Sequence, residues 1–282
     1  MTGTPYAAGY ADGERAQLAG EIDQYVEQVS LKGYCVLPAQ ISSSQLESWR
    51  EKVDAVYLRQ ETAFGRDALA AIGELDTCRI PLLYDFAFCE LAQNPLVLKI
   101  VRRMVGEWVI LHLQNAVIVR PQQPHHQASW HRDLPYQNFV SSRPLAMSAL
   151  LTLDDFSEET GGTTVLPLSH RSERLPSESY LQANAAVPSA TAGSIILFDS
   201  MLFHKAGTNT SGAVRRGINH VYTVPIIKQQ YDLPRALAGR GDISPELAKL
   251  LGFTAQVPRD DTEWRGWRLQ RFGVTAKPRE AQ

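Results

Sequence analysis

Residues 108–119 read WVILHLQNAVIV, and this stretch decides the fold class. Most alternate positions from Val109 to Val119 are apolar, whereas the apolar residues upstream have a helical spacing. Alternation with a period of two is typical of a β-strand with two distinct faces. The second face carries two polar residues, His112 and Gln114, among apolar neighbours. A polar pair on an otherwise apolar face predicts that this face lines a cavity.

Further strand-like stretches follow, separated by clusters of Gly, Pro, Ser and Asn. They are residues 145–153, 163–166, 194–198 and 217–224. Short strands with turn residues between them are typical of an antiparallel barrel or sandwich. The sequence therefore predicts a mainly β (α+β) fold whose β core spans about residues 108–226, with helices packed around it. Since no Pro/Ser/Gly-rich linker interrupts the chain, we expect residues 1–282 to form one domain.

Helical signals lie on both sides of this core. Upstream, the spacing of Leu18, Ile22, Tyr25 and Val29 predicts one helix, which Gly33 ends before a short strand at residues 34–37. Residue pairs typical of helix starts are Ser44/Glu47, Asn94/Pro95 and Ser244/Pro245. The last pair belongs to a C-terminal tail that we expect to form a lid over the site.

The composition is that of an ordinary globular chain and excludes several classes of protein. Of the 282 residues, 44% are hydrophobic and 21% are charged, and the net charge is −2. No basic excess is available to neutralise a phosphate backbone, so we predict no nucleic-acid partner. The apolar runs are far shorter than a membrane span, so we predict no membrane partner. The three cysteines form no CxxC pair, which favours reduced thiols and a cytoplasmic protein.

The segment SWHRDLPYQ contains the first candidate site, because His131 and Asp133 are two residues apart. In a strand such residues point to the same face, so an imidazole and a carboxylate would meet at one point. They would supply two thirds of a 2-His-1-carboxylate triad, the ligand set of non-haem Fe(II) oxygenases. His204, just after the predicted strand at 194–198, is the preferred second histidine.

Other histidines compete with His204 for this position. His112 is the strongest competitor, because it shares a predicted strand face with Gln114. The remaining competitors are His125, His126, His170 and His220. Without a metal, His131 would be a surface histidine near an aspartate. His204 would then be a loop histidine at the end of a strand.

Arg215 is the third chemical feature of the sequence. It follows His204 across KAGTNTSGAV, whose small polar residues predict a turn. A returning strand would then bring Arg215 back beside His204, where a guanidinium can bind a carboxylate through two hydrogen bonds. Arg216 could play the same part, but alternation allows only one of the two to point inward.

Four motifs, in one order and with matching spacing, resemble the phytanoyl-CoA dioxygenase family of Fe(II)- and 2-oxoglutarate-dependent oxygenases. The resemblance extends from about Tyr25 to Tyr231. The motifs are LKGYCVLPAQISSSQLESWR, WHRDLPY, EETGGTTVLPLSHR and GSIILFDSMLFHKAGTNTSGAVRRGINHVY. The resemblance implies a double-stranded β-helix (a cupin-like jelly roll) with flanking helices, which agrees with the β-rich core expected above.

The resemblance also implies roles for particular residues. His131, Asp133 and His204 match the iron ligands, and Arg215 matches the arginine that pairs with the far carboxylate of 2-oxoglutarate. Gln114 resembles a polar strand residue that some members direct at this co-substrate. The implied activity uses Fe(II), 2-oxoglutarate and O2 to hydroxylate or otherwise oxidise a C–H bond of a small molecule, in secondary metabolism. Asp133 favours oxidation over halogenation, because related halogenases have a small residue at that position.

Two alternatives stay open at this point. One is a cupin-type metalloprotein that uses the same ligands without 2-oxoglutarate. The other is a non-catalytic binding or sensor protein. The sequence does not identify the substrate, and it leaves open whether the chain forms a homo-oligomer.

Overall fold

Antiparallel strands form the centre of the computed structural model, which describes residues 20–274. The strands are β1 Tyr34–Leu37, β2 Thr77–Arg79, β3 Ile110–Val119, β4 Ala146–Thr152, β5 Thr164–Val165, β6 Ile195–Asp199, β7 His204–Lys205 and β8 Arg215–Thr223. Six of them form one sheet in the order β1-β6-β4-β8-β3-β2, and β5 pairs with β7 in a second, two-stranded sheet. The predicted class, an antiparallel sheet with helices, is confirmed, whereas the finer jelly-roll assignment stays a prediction.

An apolar core fills the space between the two sheets. Leu150 of β4 and Phe198 of β6 pack in one buried cluster with Val165 of β5. These side chains are β-branched, aromatic or large and aliphatic, and their burial contributes about 1.5–3 kcal/mol each. The core therefore holds the small sheet, which includes His204, against the large one.

Helices lie before, between and after the strands. Their bounds are α1 Glu21–Lys32, α2 Ser43–Phe64, α3 Arg66–Ala71, α4 Phe88–Ala92, α5 Pro95–Val105, α6 Glu178–Asn184, α7 Leu233–Ala236, α8 Pro245–Leu250 and α9 Asp261–Arg271. The face of the large sheet opposite the small one packs against helices: the Tyr222 hydroxyl of β8 donates to the Ala92 carbonyl of α4 at 2.9 Å. This hydrogen bond joins β8 to the helical layer on that face.

Most element predictions agree with the structure, and the differences lie at ends. Helix α5 begins with Asn94 as its cap, whose Oδ1 accepts from Val97 N at 3.0 Å. Helix α2 is capped by Ser42 and not by Ser44, because Gln45 turns back and its Oε1 accepts from Ser42 N at 3.3 Å. Gly33 ends α1 in the left-handed conformation, φ 90°. Leu18 lies outside the described residues.

The strand predictions also differ at their ends. The predicted strand at 108–119 begins at Ile110, and the one at 163–166 contracts to β5. The chain divides into two compact units, with the boundary between Tyr231 and Asp232. The first holds both sheets, and the second holds α7, α8 and α9. One domain for the whole chain, and a lid made by the tail, stay predictions. Within residues 20–274, no helix combines the length and apolar character that crossing a bilayer requires.

Candidate metal and co-substrate site

His131, Asp133 and His204 lie together. One ligand atom from each of the three side chains falls within 4.8 Å of the other two, and no other such group occurs among residues 20–274. Two imidazoles and one carboxylate are the donors of a facial triad, which leaves coordination positions open for other ligands. The geometry thus fits a divalent transition metal such as Fe(II).

Backbone pairing brings the two histidines together. His131 and His204 form an antiparallel bridge, in which His131 N donates to His204 O at 2.9 Å and His204 N donates to His131 O at 3.0 Å. Asp133 N donates to Ser200 O at 3.1 Å and continues the pairing. Directly paired residues in an antiparallel ladder point to the same face. The pairing therefore sets the two imidazoles side by side, with ring centroids 4.3 Å apart.

Each imidazole is oriented by its own chain. Nδ1 of His131 lies 2.8 Å from Ser129 O, and Nδ1 of His204 lies 3.0 Å from Leu202 O. A carbonyl oxygen can only accept, so Nδ1 carries the proton in both rings. Each Nε2 is then left with a lone pair for a metal, the arrangement that ligating histidines commonly show.

Asp133 is held from behind by two polar side chains. Its Oδ2 accepts from Ser148 Oγ at 2.5 Å and from Asn219 Nδ2 at 2.9 Å. Ser200 Oγ lies 2.7 Å from Ser148 Oγ and extends the network. With Oδ2 occupied, Oδ1 faces His204 Nε2 at 3.5 Å and is the oxygen available to a metal.

The charges of the triad favour a cation between its members. Burial opposes ionisation of Asp133, but the neighbouring His204 and His131 outweigh it and hold the carboxyl pKa well below its usual value. Burial also opposes protonation of His204, yet the Asp133 carboxylate raises its pKa. For His131 burial prevails, and the pKa is lowered. A metal ion would supply the positive charge that the Asp133 carboxylate and the lone pair of His204 Nε2 attract.

Arg215 is a buried cation close to the triad. Its side chain is 2% exposed, with Cζ 4.3 Å from the centroid of the Phe156 ring, and Nη2 donates to Gly161 O at 2.8 Å. Within the described chain, its Nε has no hydrogen-bond partner. Burial lowers the pKa of Arg215 to about 9. A buried guanidinium with an unused donor is costly unless an anion binds it, so the site fits a carboxylate ligand.

Glycines let the EETGG loop approach Arg215. Gly161 has φ +69°, and a Cβ there would lie 2.7 Å from Asn209 N. A Cβ on Gly207 would likewise lie 2.7 Å from Gly162 O. These backbone contacts admit no side chain, so the glycines allow the Gly161 carbonyl to reach Arg215.

Arg216 points away from the cavity, as strand alternation requires. Its guanidinium donates to both carboxylate oxygens of Asp54 at 2.9 Å and pairs with Asp154 at 3.3 Å. Arg216 is therefore engaged in ion pairs, whereas Arg215 faces the site.

A cavity of about 760 Å³ joins the triad to Arg215. Its lining includes His131, Asp133, His204, Asn219 and Arg215, and further lining residues extend to Gln230. This volume lies in the upper part of the range of small-molecule sites, and it admits a co-substrate with a second molecule.

The structure does not bring Gln114 into this cavity. Gln114 is fully buried on the opposite face of the sheet, where Oε1 accepts from Leu82 N at 3.1 Å and Nε2 donates to Phe88 O at 2.9 Å. Its Nε2 also lies 3.0 Å from His220 Nε2. A fully used amide has no group left for 2-oxoglutarate, so the expected contact is corrected: Gln114 fixes the sheet to the α4 region.

A β-bulge explains this correction. The register of β3 against β8 shifts between Leu111 and Leu113, so the alternation read from the sequence changes phase there. His112, within the bulge, lines the cavity, whereas Gln114 pairs with His220 and faces away from it. His112 and Gln114 therefore do not share a face.

Sequence reasoning missed the residues that hold Asp133. Ser148 and Asn219 come from β4 and β8, which are neighbours in the sheet. The available signal was the presence of polar side chains inside two largely apolar strands, Ser148 in MSALL and Asn219 beside His220 in INHVY. Without the register of those strands, nothing connects them to Asp133.

The antiparallel β fold presents two histidines and one carboxylate to a single point, which is the donor set of a facial-triad metal site. The sequence profile described as phytanoyl-CoA dioxygenase matches residues 29–217. The chain belongs to this family, as its motifs predicted.

Relatives agree with this assignment. An uncharacterised protein of Mycobacterium tuberculosis, Rv1501, is 36% identical over 244 residues, which cover 84% of this chain and 88% of the relative. The dioxygenase andF of Emericella variicolor is 29% identical over 184 residues, with 58% of this chain and 60% of andF covered.

Solved structures share the fold. The non-haem monooxygenase ThoJ superposes with a TM-score of 0.59 at 19% identity, covering 74% of this chain and 80% of ThoJ. The epimerase SnoN, in complex with Fe3+, alpha-ketoglutarate and nogalamycin RO, gives 0.56 at 17% identity, covering 72% and 84%.

Proposed function

We propose that this protein is a non-haem Fe(II)- and 2-oxoglutarate-dependent dioxygenase that hydroxylates or otherwise oxidises a C–H bond of a small molecule in secondary metabolism. The observation that carries the proposal is the buried Arg215 in the same cavity as the triad. A metal site alone does not require a buried arginine in its cavity. A dicarboxylate that reaches both groups does.

Each residue of the site has a distinct role in this proposal. His131, Asp133 and His204 would hold Fe(II), and Arg215 would bind the carboxylate of 2-oxoglutarate that does not reach the metal. Fe(II), when bound, supplies the O2-dependent oxidation chemistry. Ser148 and Asn219 keep one oxygen of Asp133 turned towards the metal position. No side chain is needed as a general base.

An anaerobic titration tests this proposal. Fe(II) and 2-oxoglutarate together should give the wild-type protein a visible charge-transfer band, and air should then yield succinate. Metal binding without the band would favour the cupin-type alternative that does not use 2-oxoglutarate. Absence of both metal binding and succinate would favour a non-catalytic protein and overturn the proposal.

A further inference from the structure

Arg132 stands between two residues of the triad, and its side chain lies behind them. It separates His131 from Asp133, and successive residues of an extended chain point to opposite faces. Because His131 pairs with His204, the residue across the ladder from Arg132 is Phe203. The Arg132 guanidinium lies over the Phe203 ring, with Cζ 3.8 Å from the ring centroid. The two side chains form a cross-strand pair of the cation–π kind.

The Arg132 guanidinium also binds three backbone carbonyl oxygens. Nε donates to Met201 O at 2.9 Å, Nη1 donates to Glu173 O at 3.1 Å, and Nη2 donates to Ser172 O. These oxygens belong to two segments, the turn that precedes β7 and the chain that follows the 3-10 turn Ser169–Arg171. A guanidinium presents its donors in a fixed planar fork, so the three bonds hold both segments in place.

The Ser169–Arg171 turn is itself joined to the ladder. Phe203 N donates to Ser169 Oγ at 2.9 Å, and Leu166 N donates to Phe203 O at 2.9 Å. The Phe203 ring packs in one buried cluster with Leu166 and Leu181. The guanidinium therefore rests on a side chain that several contacts fix. This gives a structural role to the Ser-His-Arg segment of the third sequence motif.

The backbone ladder between the ligands is short. Two hydrogen bonds join His131 to His204, and a third joins Asp133 N to Ser200 O. Short pairings open more readily than extended ladders do. Arg132 adds a side-chain link between the same two segments, and this link crosses the ladder between the histidine pair and Asp133.

We infer that Arg132 is a positioning residue for the metal site: it holds the segment 131–133 against the turn before His204 and so sets the separation of the three ligands. The inference rests on the metal site of the proposed function and adds a residue that acts through the ligands. Ligands held at a fixed separation lose less conformational entropy on binding a metal than mobile ligands do. Arg132 therefore raises the affinity for Fe(II), whereas binding of 2-oxoglutarate depends on Arg215.

Replacement of Arg132 tests this role. Arg132→Met keeps a long unbranched side chain that can pack on Phe203 but donates no hydrogen bond. Equilibrium dialysis under nitrogen should give an Fe(II) dissociation constant at least about tenfold higher than that of the wild type. Arg132→Lys keeps the charge but replaces the fork with one ammonium group, so its affinity should lie between the two. The KM for 2-oxoglutarate at saturating Fe(II) should stay within about twofold.

Hydrogen exchange of the metal-free protein gives a readout that does not depend on activity. The backbone amides of His131, Asp133 and His204 all donate within the ladder. In Arg132→Met these amides should exchange at least about tenfold faster than in the wild type, because the contacts that keep the ladder closed are lost.

Arg50→Met is the matched control. Arg50 is also partly buried and also donates to a backbone carbonyl, Leu153 O, at 3.0 and 2.7 Å, but it lies outside the cavity lining. This variant should lose stability without a change in Fe(II) affinity or in the exchange of the three amides. Equal losses of Fe(II) affinity in Arg50→Met and Arg132→Met would reveal general destabilisation and overturn the inference. An unchanged Fe(II) affinity in Arg132→Met would also overturn it.

The inference and the proposed function fail in different ways. Wild-type protein that binds Fe(II) but gives no charge-transfer band with 2-oxoglutarate would refute the proposed function, and the role of Arg132 would still be decided by dialysis. A normal wild-type band, together with unaltered Fe(II) binding by Arg132→Met, would refute the role of Arg132 alone. Wild-type protein without affinity for Fe(II) would overturn both.

Discussion

The smallest feature that decides the chemistry is the backbone carbonyl behind each histidine. Ser129 O and Leu202 O fix the tautomers of His131 and His204 and so direct both Nε2 atoms to one point. Replacing either histidine with alanine should lower Fe(II)-dependent succinate formation at least about 100-fold. Fe(II) binding by equilibrium dialysis gives a second measurement, and His126→Ala is the matched control. Full succinate production by either variant would show that the ligands are assigned wrongly.

Adjacent arginines offer a matched pair for the co-substrate. Arg215→Gln should raise the KM for 2-oxoglutarate at least about tenfold, because a buried charge-assisted pair is lost. Arg216→Gln removes ion pairs with Asp54 and Asp154 and should leave this KM within about twofold, with a small loss of stability. Steady-state kinetics with varied 2-oxoglutarate distinguish the two. Equal effects of both variants would contradict the role given to Arg215.

Ser148 acts on the metal through Asp133. Ser148→Ala removes a donor to Asp133 Oδ2, so the carboxylate loses one of two groups that orient it. Fe(II) affinity should fall about 10- to 100-fold, with the circular dichroism spectrum unchanged. Ser148→Thr keeps the hydroxyl and should retain more of the affinity than alanine does. An unaltered dissociation constant in Ser148→Ala would show that Asn219 alone suffices.

At the scale of elements, the bulge in β3 separates two functions that the sequence had placed together. Gln114 joins the sheet to Leu82 and Phe88, whereas His112 faces the cavity. Gln114→Leu should destabilise the protein by about 1–3 kcal/mol, since it leaves buried backbone groups unpaired. The KM for 2-oxoglutarate should stay within about twofold. Chemical denaturation and steady-state kinetics measure both, and a large rise in KM without loss of stability would restore the co-substrate role of Gln114.

Local patterns predicted the elements well, because capping and periodicity act over a few residues. Asn94 and Pro95 marked the start of α5, and the period of two marked β3. The partners of Asp133 could not be predicted, because they depend on the register of strands that are distant in sequence. The predicted face of Gln114 was wrong for the same reason. One inserted residue at the bulge in β3 reverses the alternation, and the sequence alone does not locate this bulge.

For the whole molecule, buried titratable groups predict how stability depends on pH. Burial lowers the pKa of His125 and of His220 to about 4, so both are neutral in the folded protein. The unfolded chain takes up these protons below about pH 6.5, and the free energy of unfolding therefore falls as the pH drops from 6.5 to 4. Burial raises the pKa of Asp199 to about 6, which has the opposite effect because the folded state takes up that proton first.

This opposition gives a test with one substitution. The Asp199→Asn variant lacks the carboxyl group that takes up a proton in the folded state. Between pH 6 and pH 4 the free energy of unfolding of this variant should therefore fall more steeply than that of the wild type. The difference in slope should be about 1.4 kcal/mol per pH unit. Urea denaturation at intervals of half a pH unit measures both slopes. Parallel slopes would mean that Asp199 titrates in the folded protein as it does in the unfolded chain.

The pairing of His131 with His204 has a consequence for how such a centre can evolve. The bonds that bring these positions together belong to the backbone, so they persist whatever side chains stand there. Asp133 differs, because its carboxylate also satisfies Ser148 and Asn219. The histidine positions are thus free to vary one at a time, whereas a change at Asp133 calls for compensation on two other strands. Loss of the carboxylate at position 133 should therefore be accompanied by changes at the positions of Ser148 and Asn219.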